Sequence, residues 1–438
     1  MGDQHHHGHD HDSLRAAPEI AALLRWVVGA VVVLTCIGLF IWRPGGGVEL
    51  PGAFQGQGER VNATVLGGET VPCPGADFGA TVVCQEVRFE LTSGPNEGST
   101  GSFQQFPEAE TTTTRFAEGD RIVVIEFELG DTGEVAHTFA DFQRTRPMLA
   151  LAALFVVAVL ALGRFQGVRA IGGLVVSAVV LLAYVFPALL DGQPPLAVAL
   201  VASSVIAFAA LYLAHGVTQT TTVALLGTLA ALALTGLLAA VFTSAANITG
   251  LASEDQIYLL VSNEGIDVRG LVLAGIVLGS LGVLDDVTVT QVSAVARLRE
   301  ANPGYAVGDL YRTGVRIGRD HIASTVNTLV LAYAGAALPL LLFYSNIGIG
   351  LSEAVTSEII AVEVIRTLVG SIGLVAAVPI TTALAAVVVT GTALPRRSAQ
   401  ASDTRTGDEV HGDAAAPAGR ADGPGHDWDE FAPTEEDF

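Results

Sequence analysis

Eight long apolar runs constrain this chain more than any other feature of its sequence. Each run is about as long as one crossing of a lipid bilayer requires. Inside lipid the backbone must satisfy its own hydrogen bonds, and uninterrupted runs of this length favour α-helices. The runs span residues 26–42, 147–163, 170–190, 196–214, 220–242, 268–290, 324–345 and 365–391. The sequence therefore predicts a mainly α, polytopic membrane protein with about eight transmembrane helices.

The first run, Trp26 to Trp42, is interpreted as a retained membrane span. It is long for a signal-peptide core, it carries tryptophan at both ends, and no small-residue cleavage site follows it. The predicted order is a His-rich cytoplasmic head (1–25), the first transmembrane helix (26–42), a β domain (43–146), a seven-helix membrane domain (147–395) and a disordered acidic tail (396–438). The tail is rich in Ala, Gly, Pro and acid and has few aliphatic residues, which is typical of disorder.

Alternating apolar and polar residues predict strands in the segment after the first span. The clear runs are Arg60–Leu66, Thr81–Thr92 and Arg121–Leu129, with weaker ones near Ser99–Phe106 and Val135–Phe139. Turn signals such as TSGPNEG lie between them. These runs predict a small five-strand β domain, an OB-like barrel or a sandwich.

Arginine distribution sets the predicted orientation. The segments that face the cytoplasm when the N-terminus is inside carry most of the arginines, whereas the opposite loops are acidic or neutral. Both termini are then cytoplasmic and residues 43–146 are extracytoplasmic. An oxidising compartment favours a disulfide between Cys73 and Cys84, and two free thiols are the alternative.

The sixth run carries one polar and small-residue stripe on a single helix face. Its members recur every three or four residues and fall within about 80° of one another: Gly275, Gly279, Gly282, Asp286, Thr290, Ser293 and Arg297. The glycines favour close helix packing, and the acid and hydroxyls place polar groups near the cytoplasmic boundary. Asp285 lies about 100° away on the same helix, towards Thr288 and Gln291.

A matching stripe in the seventh run contains His321, Thr325, Thr328, Ala332, Gly335 and Pro339. We expect the two small faces to pack together and to bring Asp286 near Thr325 and His321. The alternatives are packing surfaces alone, an arginine partner (Arg297 or Arg319) for Asp286, and a capping role for His321. The candidate substrate or ion path is Asp285, Asp286, Thr288, Thr290, Gln291, His321, Thr325 and Asn327, with helix packing at Gly275, Gly279, Gly282 and Gly335.

Two other clusters carry chemistry-bearing side chains. The segment from His215 to Thr222 lies between the fourth and fifth runs, and helix capping is its favoured interpretation. The head contains five histidines whose imidazoles bind zinc, nickel, cobalt or copper readily, although such a tract can also be incidental: His5, His6, His7, His9 and His11. A divalent metal at the head is the one cofactor that the sequence suggests.

Several function classes find no support. The chain has no lysine, so it cannot hold a phosphate-loop motif, and it has no nucleophile elbow, zinc-protease helix or Cys-x-x-Cys pair. A formal net charge of −22 argues against a nucleic-acid partner. We therefore expect no enzymatic activity. The expected partners are the lipid bilayer and a small solute or ion, and a homo-oligomer or a protein bound through the β domain is left open.

The stretches GSLGVLDDVTVTQ and IGRDHIASTVNTLVLAYAGAALPLLL resemble the YibE/F family of bacterial multi-pass membrane proteins. The β segment with VRFELTSGPNEG and GDRIVV, and ADFQRTRPMLALAALF after it, are also similar to that family. The resemblance covers roughly residues 25–395 and implies a permease-like protein of the plasma membrane, with no catalytic residues to carry over. The positions within its motifs include Arg319 and Asp320 beside the candidate path residues.

Together these features favour a gradient-driven transporter in the bacterial cytoplasmic membrane. Its polar site would lie at the cytoplasmic ends of the sixth and seventh spans, where Asp285 and Asp286 would bind a cation or exchange a proton. A non-transporting membrane scaffold or envelope-stress component is the first alternative. A divalent metal exporter or sensor that uses the His-rich head is the second.

Overall fold

The structure, a computed structural model, describes residues 15–16, 18–45, 58–72, 83–105, 116–129, 134–262 and 265–393. A π-helical turn, Leu181–Val185, connects two of its helices without a break. In chain order the elements are β1 Arg15–Ala16, α1 Pro18–Ile41, β2 Glu59–Pro72, β3 Val83–Leu91, β4 Thr100–Gln105, β5 Arg121–Leu129, β6 Glu134–Phe142, α2 Thr145–Val180, α3 Phe186–Leu190, α4 Pro195–His215, α5 Gln219–Ala245, α6 Glu254–Ser262, α7 Val268–Ala301, α8 Val307–Asn346, α9 Leu351–Thr356, α10 Glu358–Thr390 and β7 Thr392–Ala393.

Seven helical stretches in the described part of the chain are long and apolar enough to cross a membrane. They are Pro18–Ile41, Thr145–Leu190, Pro195–His215, Gln219–Ala245, Val268–Ala301, Val307–Asn346 and Glu358–Thr390. All eight predicted apolar runs lie in these stretches or extend one residue beyond them. The predicted class, mainly α with multiple membrane helices and a small β domain, is confirmed.

The count is seven because two predicted spans share one 46-residue stretch, Thr145–Leu190. Within it Arg164 has the non-helical angles φ 49° and ψ −124°. Gly167 and Val159 are eight residues apart, a separation of about 12 Å in a straight helix. Here they are in contact, since a Cβ at Gly167 would collide with the carbonyl oxygen of Val159. The chain therefore doubles back at Arg164, and each arm is long enough for a crossing of its own.

Helices α5, α7 and α10 pack against one another and form the centre of the bundle, with α4 against α7. Small side chains make this possible. A Cβ at Gly227 of α5 would collide with Thr381 of α10, and a Cβ at Gly373 of α10 would collide with Thr235 of α5. The two contacts are eight residues apart on both helices and run in opposite directions. The antiparallel segments share one pattern, GTLAALALT from Gly227 and GLVAAVPIT from Gly373.

The charged segments after the sixth run and before the seventh are helical rather than looped. Helix α7 continues to Ala301, and α8 begins at Val307, 17 residues before the predicted start of that span at 324. The connection between them is only Asn302–Ala306. The apolar pattern ends before either helix does, so hydropathy alone underestimates both elements.

The β domain is a single antiparallel sheet of five strands in the order β4-β3-β2-β5-β6. All five predicted strand runs are present. The sheet curls until its edge strands approach, with the rings of Phe103 in β4 and Phe139 in β6 stacked 5.9 Å apart. The result is a half-barrel around an aromatic and aliphatic core, which matches the barrel alternative. Cys84 is buried in β3, whereas Cys73 lies outside the described residues, so the predicted bridge stays a prediction.

Two short strands bring the ends of the helical domain together. Arg15 of β1 pairs with Ala393 of β7, and Ala16 pairs with Thr392. The start of α1 therefore lies beside the end of α10.

Candidate functional site in the sixth span

Two of the predicted path residues in α7 are buried and fully engaged in helix packing. The Thr288 hydroxyl lies 2.6 Å from the Thr228 hydroxyl of α5. The Gln291 amide nitrogen donates to the carbonyl oxygen of Gly314 in α8 and to the hydroxyl of Thr382 in α10, both at 2.7 Å. Thr288 and Gln291 therefore join α7 to three other helices.

The Gln291 side chain packs against two glycines of α8, Gly314 and Gly318, which were not among the predicted site residues. A Cβ at Gly314 would lie 2.8 Å from Cγ2 of Thr382, and one at Gly318 would collide with Val378 and lie 2.9 Å from Oε1 of Gln291. The GVRIG sequence is a small-xxx-small signal for close helix approach, and it was available in the sequence. It lies in an arginine-rich segment before residue 324, outside the predicted seventh run.

The two adjacent carboxylates of α7 have no such partners. Asp285 is half-buried, and its Oδ1 is buried without a hydrogen-bond partner among the described residues. Asp286 is exposed, and only its backbone oxygen is used, accepting from the Thr290 hydroxyl at 2.8 Å. Over the residues that the structure describes, neither carboxylate forms an ion pair with Arg297, Arg319 or another cation.

The predicted contact between the polar stripes of α7 and α8 is not made at its two glycines. A Cβ at Gly282 or at Gly335 would meet no heavy atom within 4 Å. Helix α8 packs chiefly against α10, so part of the α7 stripe is left open. Asp286, Thr290, His321 and Asn327 are exposed and Thr325 is half-buried. In the described part of the chain no hydrogen bond joins Asp286 or Thr290 to His321 or Thr325, so that juxtaposition stays a prediction.

The other two glycines of the α7 stripe face polar side chains. A Cβ at Gly275 would lie 3.9 Å from a terminal nitrogen of Arg366, and one at Gly279 would lie 3.6 Å from the Tyr333 hydroxyl. Arg366 is half-buried in α10, pairs with Glu363 at 2.9 Å and keeps a buried, unpartnered Nε. The signal for this pair was the i,i+3 spacing of the two charges at the start of the eighth apolar run.

A polar cavity of about 270 Å³ lies on another side of α7, between α2, α4 and α5. We call it the α4–α5 cavity; its lining residues are Gln166, Arg169, Ala214, His215, Thr218, Thr220, Thr221, Ala224, Val289 and Ser293. Thr218 caps α5 by accepting from the Thr221 amide at 3.1 Å, as the capping interpretation expects. The same segment also lines a cavity, which the sequence did not reveal.

Asp285 lies on the cavity side of α7. Val289 and Ser293 follow it at intervals of four residues and line the α4–α5 cavity. One helical turn, about 6 Å along the axis, therefore separates Asp285 from the cavity wall at Val289. A carboxylate so close to a polar opening can exchange a proton or a cation with it.

The metal prediction falls on residues that the structure does not describe. His5, His6, His7, His9 and His11 all precede residue 15. Within the described ranges, no group of three or more His, Cys, Asp and Glu side chains is arranged to hold a metal ion. Metal handling by the head therefore stays a prediction.

Comparison with known proteins places the helical part of the chain in a family. A family model described as YibE/F-like protein matches residues 151–391, more than half of the chain. This range contains Asp285 and Asp286 of α7 and the residues that line the α4–α5 cavity. No curated protein and no solved structure matches the chain.

Proposed function

This chain belongs to the YibE/F-like family of membrane proteins, and from that premise we propose that it is a gradient-driven permease for a small solute or ion. It would use Asp285 as the carboxyl that binds a proton or a cation, with Asp286 beside it. The chain would act without enzymatic chemistry. Since it has no lysine for a phosphate loop, a gradient rather than nucleotide hydrolysis would supply the driving force.

The buried, unpartnered Oδ1 of Asp285 carries the proposal. An ionised carboxylate oxygen that is buried without a partner is costly, and the cost disappears when a proton or a cation occupies it. Thr288 and Gln291, one and two turns further along α7, bond to neighbouring helices, whereas Asp285 Oδ1 and Arg299 Nε are the buried polar atoms of α7 without a partner among the described residues. Asp285 is the acidic member of these two, and an acid without a partner inside an apolar run is typical of an ion-coupling residue.

The α4–α5 cavity supports an access route from one side of the membrane. Its 270 Å³ are below the usual range for drug-sized ligands, so it suits a small solute. Seven of its ten lining residues are polar, and it lies one turn from Asp285. By the arginine distribution it would open to the cytoplasm.

The antiparallel repeat in α5 and α10 also supports transport. Inverted repeats that meet near the membrane midplane are typical of secondary transporters. Here Gly227 meets Thr381, and Gly373 meets Thr235, at the centre of the bundle. The repeat is limited to one helix pair, so it supports the class of protein and not a particular transport cycle.

A membrane scaffold is the second candidate, and the open face of α7 favours it. Gly282, Asp286 and Thr290 lie together on this face, and a Cβ at Gly282 would meet no neighbour. A partner protein, or a second copy of the chain, would cover such a face. In that case Asp286→Asn would change the partner or the oligomeric state and leave proton movement unaffected.

The test is proton flux through the purified, full-length protein in liposomes that contain a trapped pH-sensitive dye. A potassium diffusion potential drives proton entry, once in chloride medium and once in phosphate medium. We expect wild-type liposomes to acidify faster than empty ones and Asp285→Asn liposomes to match empty ones. Asp255→Asn, which changes an exposed acid in α6, is the matched control and should behave as wild type.

Equal proton entry in wild-type, Asp285→Asn and empty liposomes, repeated with a sodium gradient and a sodium-sensitive dye, would refute ion coupling at Asp285. A loss of flux in both Asp285→Asn and Asp255→Asn would point to general damage and would also contradict the assigned role.

A further inference from the structure

The α4–α5 cavity combines the features of an anion site. We propose that it binds a small oxyanion of the phosphate type, either free in solution or as the headgroup phosphate of a lipid. One consequence rests on the proposed function: the permease would move this anion together with a proton or cation at Asp285. The binding itself can be tested separately.

Arg169 provides the first contact. It is half-buried in the cavity wall, and its guanidinium lies 4.8 Å from the centre of the Phe165 ring. Stacking on the ring orients the planar guanidinium, which leaves its edge available for hydrogen bonds. In the ranges described, Arg169 forms no ion pair with a carboxylate. An arginine with a free edge is well suited to a phosphate-type oxyanion, which it can bind in bidentate fashion.

Within the described part of the chain, no acidic residue lines the α4–α5 cavity. Its other polar groups are the side chains of Gln166 and His215 and the hydroxyls of Thr218, Thr220, Thr221 and Ser293. The hydroxyls of Thr218 and Thr221 bond to each other at 2.8 Å. Those of Thr220 and Ser293 make no side-chain hydrogen bond within the described residues and can donate to a ligand.

The first turn of α5 adds a positive partial charge at the same place. Thr218 caps this 27-residue helix, and Thr218, Thr220 and Thr221 all line the cavity. Helix N-termini favour anions. The arginine, the hydroxyls and the helix end therefore line one cavity, and each of them favours an anionic ligand.

A second arginine lies on the other side of the α4–α5 turn. A cavity of about 430 Å³ is lined by α1 and by this turn, contains Arg25 and shares Thr218 with the α4–α5 cavity. It too has no acidic lining residue. An anion that approaches the turn therefore meets a guanidinium on either side. Positive potential of this kind raises the local concentration of anions.

The experiment measures phosphate binding to the full-length protein in phospholipid-free detergent, by calorimetry and by thermal stabilisation. Potassium phosphate is compared with potassium chloride at equal ionic strength. We expect saturable phosphate binding in the wild type and at least about tenfold weaker binding in Arg169→Gln, since one charge-assisted bidentate contact is lost. Arg169→Lys should bind with intermediate affinity. The matched control Arg316→Gln changes an exposed arginine of α8 and should bind as wild type.

A second arm separates the two sources of the phosphate group. Native mass spectrometry follows the uptake of phosphatidylglycerol, with phosphatidylcholine as the comparison lipid. A lipid site is indicated if Arg169→Gln reduces phosphatidylglycerol binding and inorganic phosphate does not bind. A solute site is indicated if inorganic phosphate binds and the lipid does not compete. The proposal is overturned if Arg169→Gln changes neither ligand, or if Arg316→Gln weakens both equally.

The outcome is independent of the proposed function. Asp285→Asn should still bind phosphate in detergent, because its carboxyl lies outside the cavity lining. Phosphate binding without ion-coupled flux would refute the permease and keep the anion site. Asp285-dependent flux without phosphate binding would keep the permease and refute the anion site.

Discussion

Polar and small residues have different surroundings on the two sides of α7. We call the side with Thr288 and Gln291 the packed side and the side with Gly282 and Asp286 the open side. On the packed side, Thr288 and Gln291 bond to α5, α8 and α10. On the open side, Gly282 has no close neighbour and Asp286 has no side-chain partner among the described residues. Residue type alone does not separate the two sides, since both carry small and polar residues in helical spacing. What separates them is whether another helix reaches them.

Glycine substitutions should give the largest difference between the two sides. Gly318→Leu would force α8 away from Val378 and Gln291, and we expect it to lose about 3 kcal/mol of stability or to fail to fold. Gly282→Ala on the open side should raise stability by up to about 1 kcal/mol, because alanine is the better helix former. Thermal unfolding in detergent, followed by size-exclusion chromatography, measures both. Equal losses of stability in Gly318→Leu and Gly282→Ala would contradict the difference between the packed and open sides.

Replacement of Gln291 tests the packed side without added bulk. Gln291→Leu removes the two hydrogen bonds to Gly314 and Thr382, and we expect a loss of about 1–3 kcal/mol. The control is Thr290→Val, on the open side, which should change stability by no more than about 0.5 kcal/mol. If Thr290→Val proved the more damaging of the two, a partner on the open side would have to be inferred.

Asp285 lies between these two sides and should respond in a third way. Asp285→Asn removes the charge of a buried oxygen that has no partner, so stability should stay the same or rise by up to about 1 kcal/mol while proton flux is lost. The opposite signs for stability and activity distinguish a coupling carboxylate from a structural one. Loss of both would place Asp285 with Gln291 among the packing residues.

The sequence predicted elements well wherever one periodic pattern decides the structure. The eight apolar runs and five strand runs are all present, because burial in lipid or on one face of a sheet depends on composition and period. It predicted the site less well. The residues of the candidate path divide between packing and exposure, since the partner of each helix face is chosen by helix register and tilt. GVRIG, which decides how α8 packs, lay outside the predicted span.

The α4–α5 cavity was beyond sequence reasoning for a related reason. Arg169, Thr218 and Ser293 come from three helices that are distant in sequence, and each has a plain local explanation such as capping or the positive-inside rule. Only the fold shows that they share one volume. Asp285 was identified as a candidate because a charge within an apolar run is visible locally.

The smallest expected effect concerns a carboxylate that does have a partner, outside the membrane helices. Arg144 donates two hydrogen bonds to Asp141 and thereby lowers the pKa of that carboxyl below its usual 3.8, with a further contribution from the Phe142 amide. Stabilisation by this pair is therefore present above about pH 3.8 and is lost as the pH falls through the lowered pKa. Carboxyl-carbon resonances of the isotope-labelled, full-length protein can follow the titration. Arg144→Gln should move the pKa of Asp141 back towards 3.8 with little change in stability, because both side chains are exposed. An unchanged pKa would mean that the Arg144 contact does not stabilise the ionised Asp141 carboxyl in solution. A hydrogen-bond partner in the structure would then not be enough to distinguish Asp141 from the unpartnered Asp285.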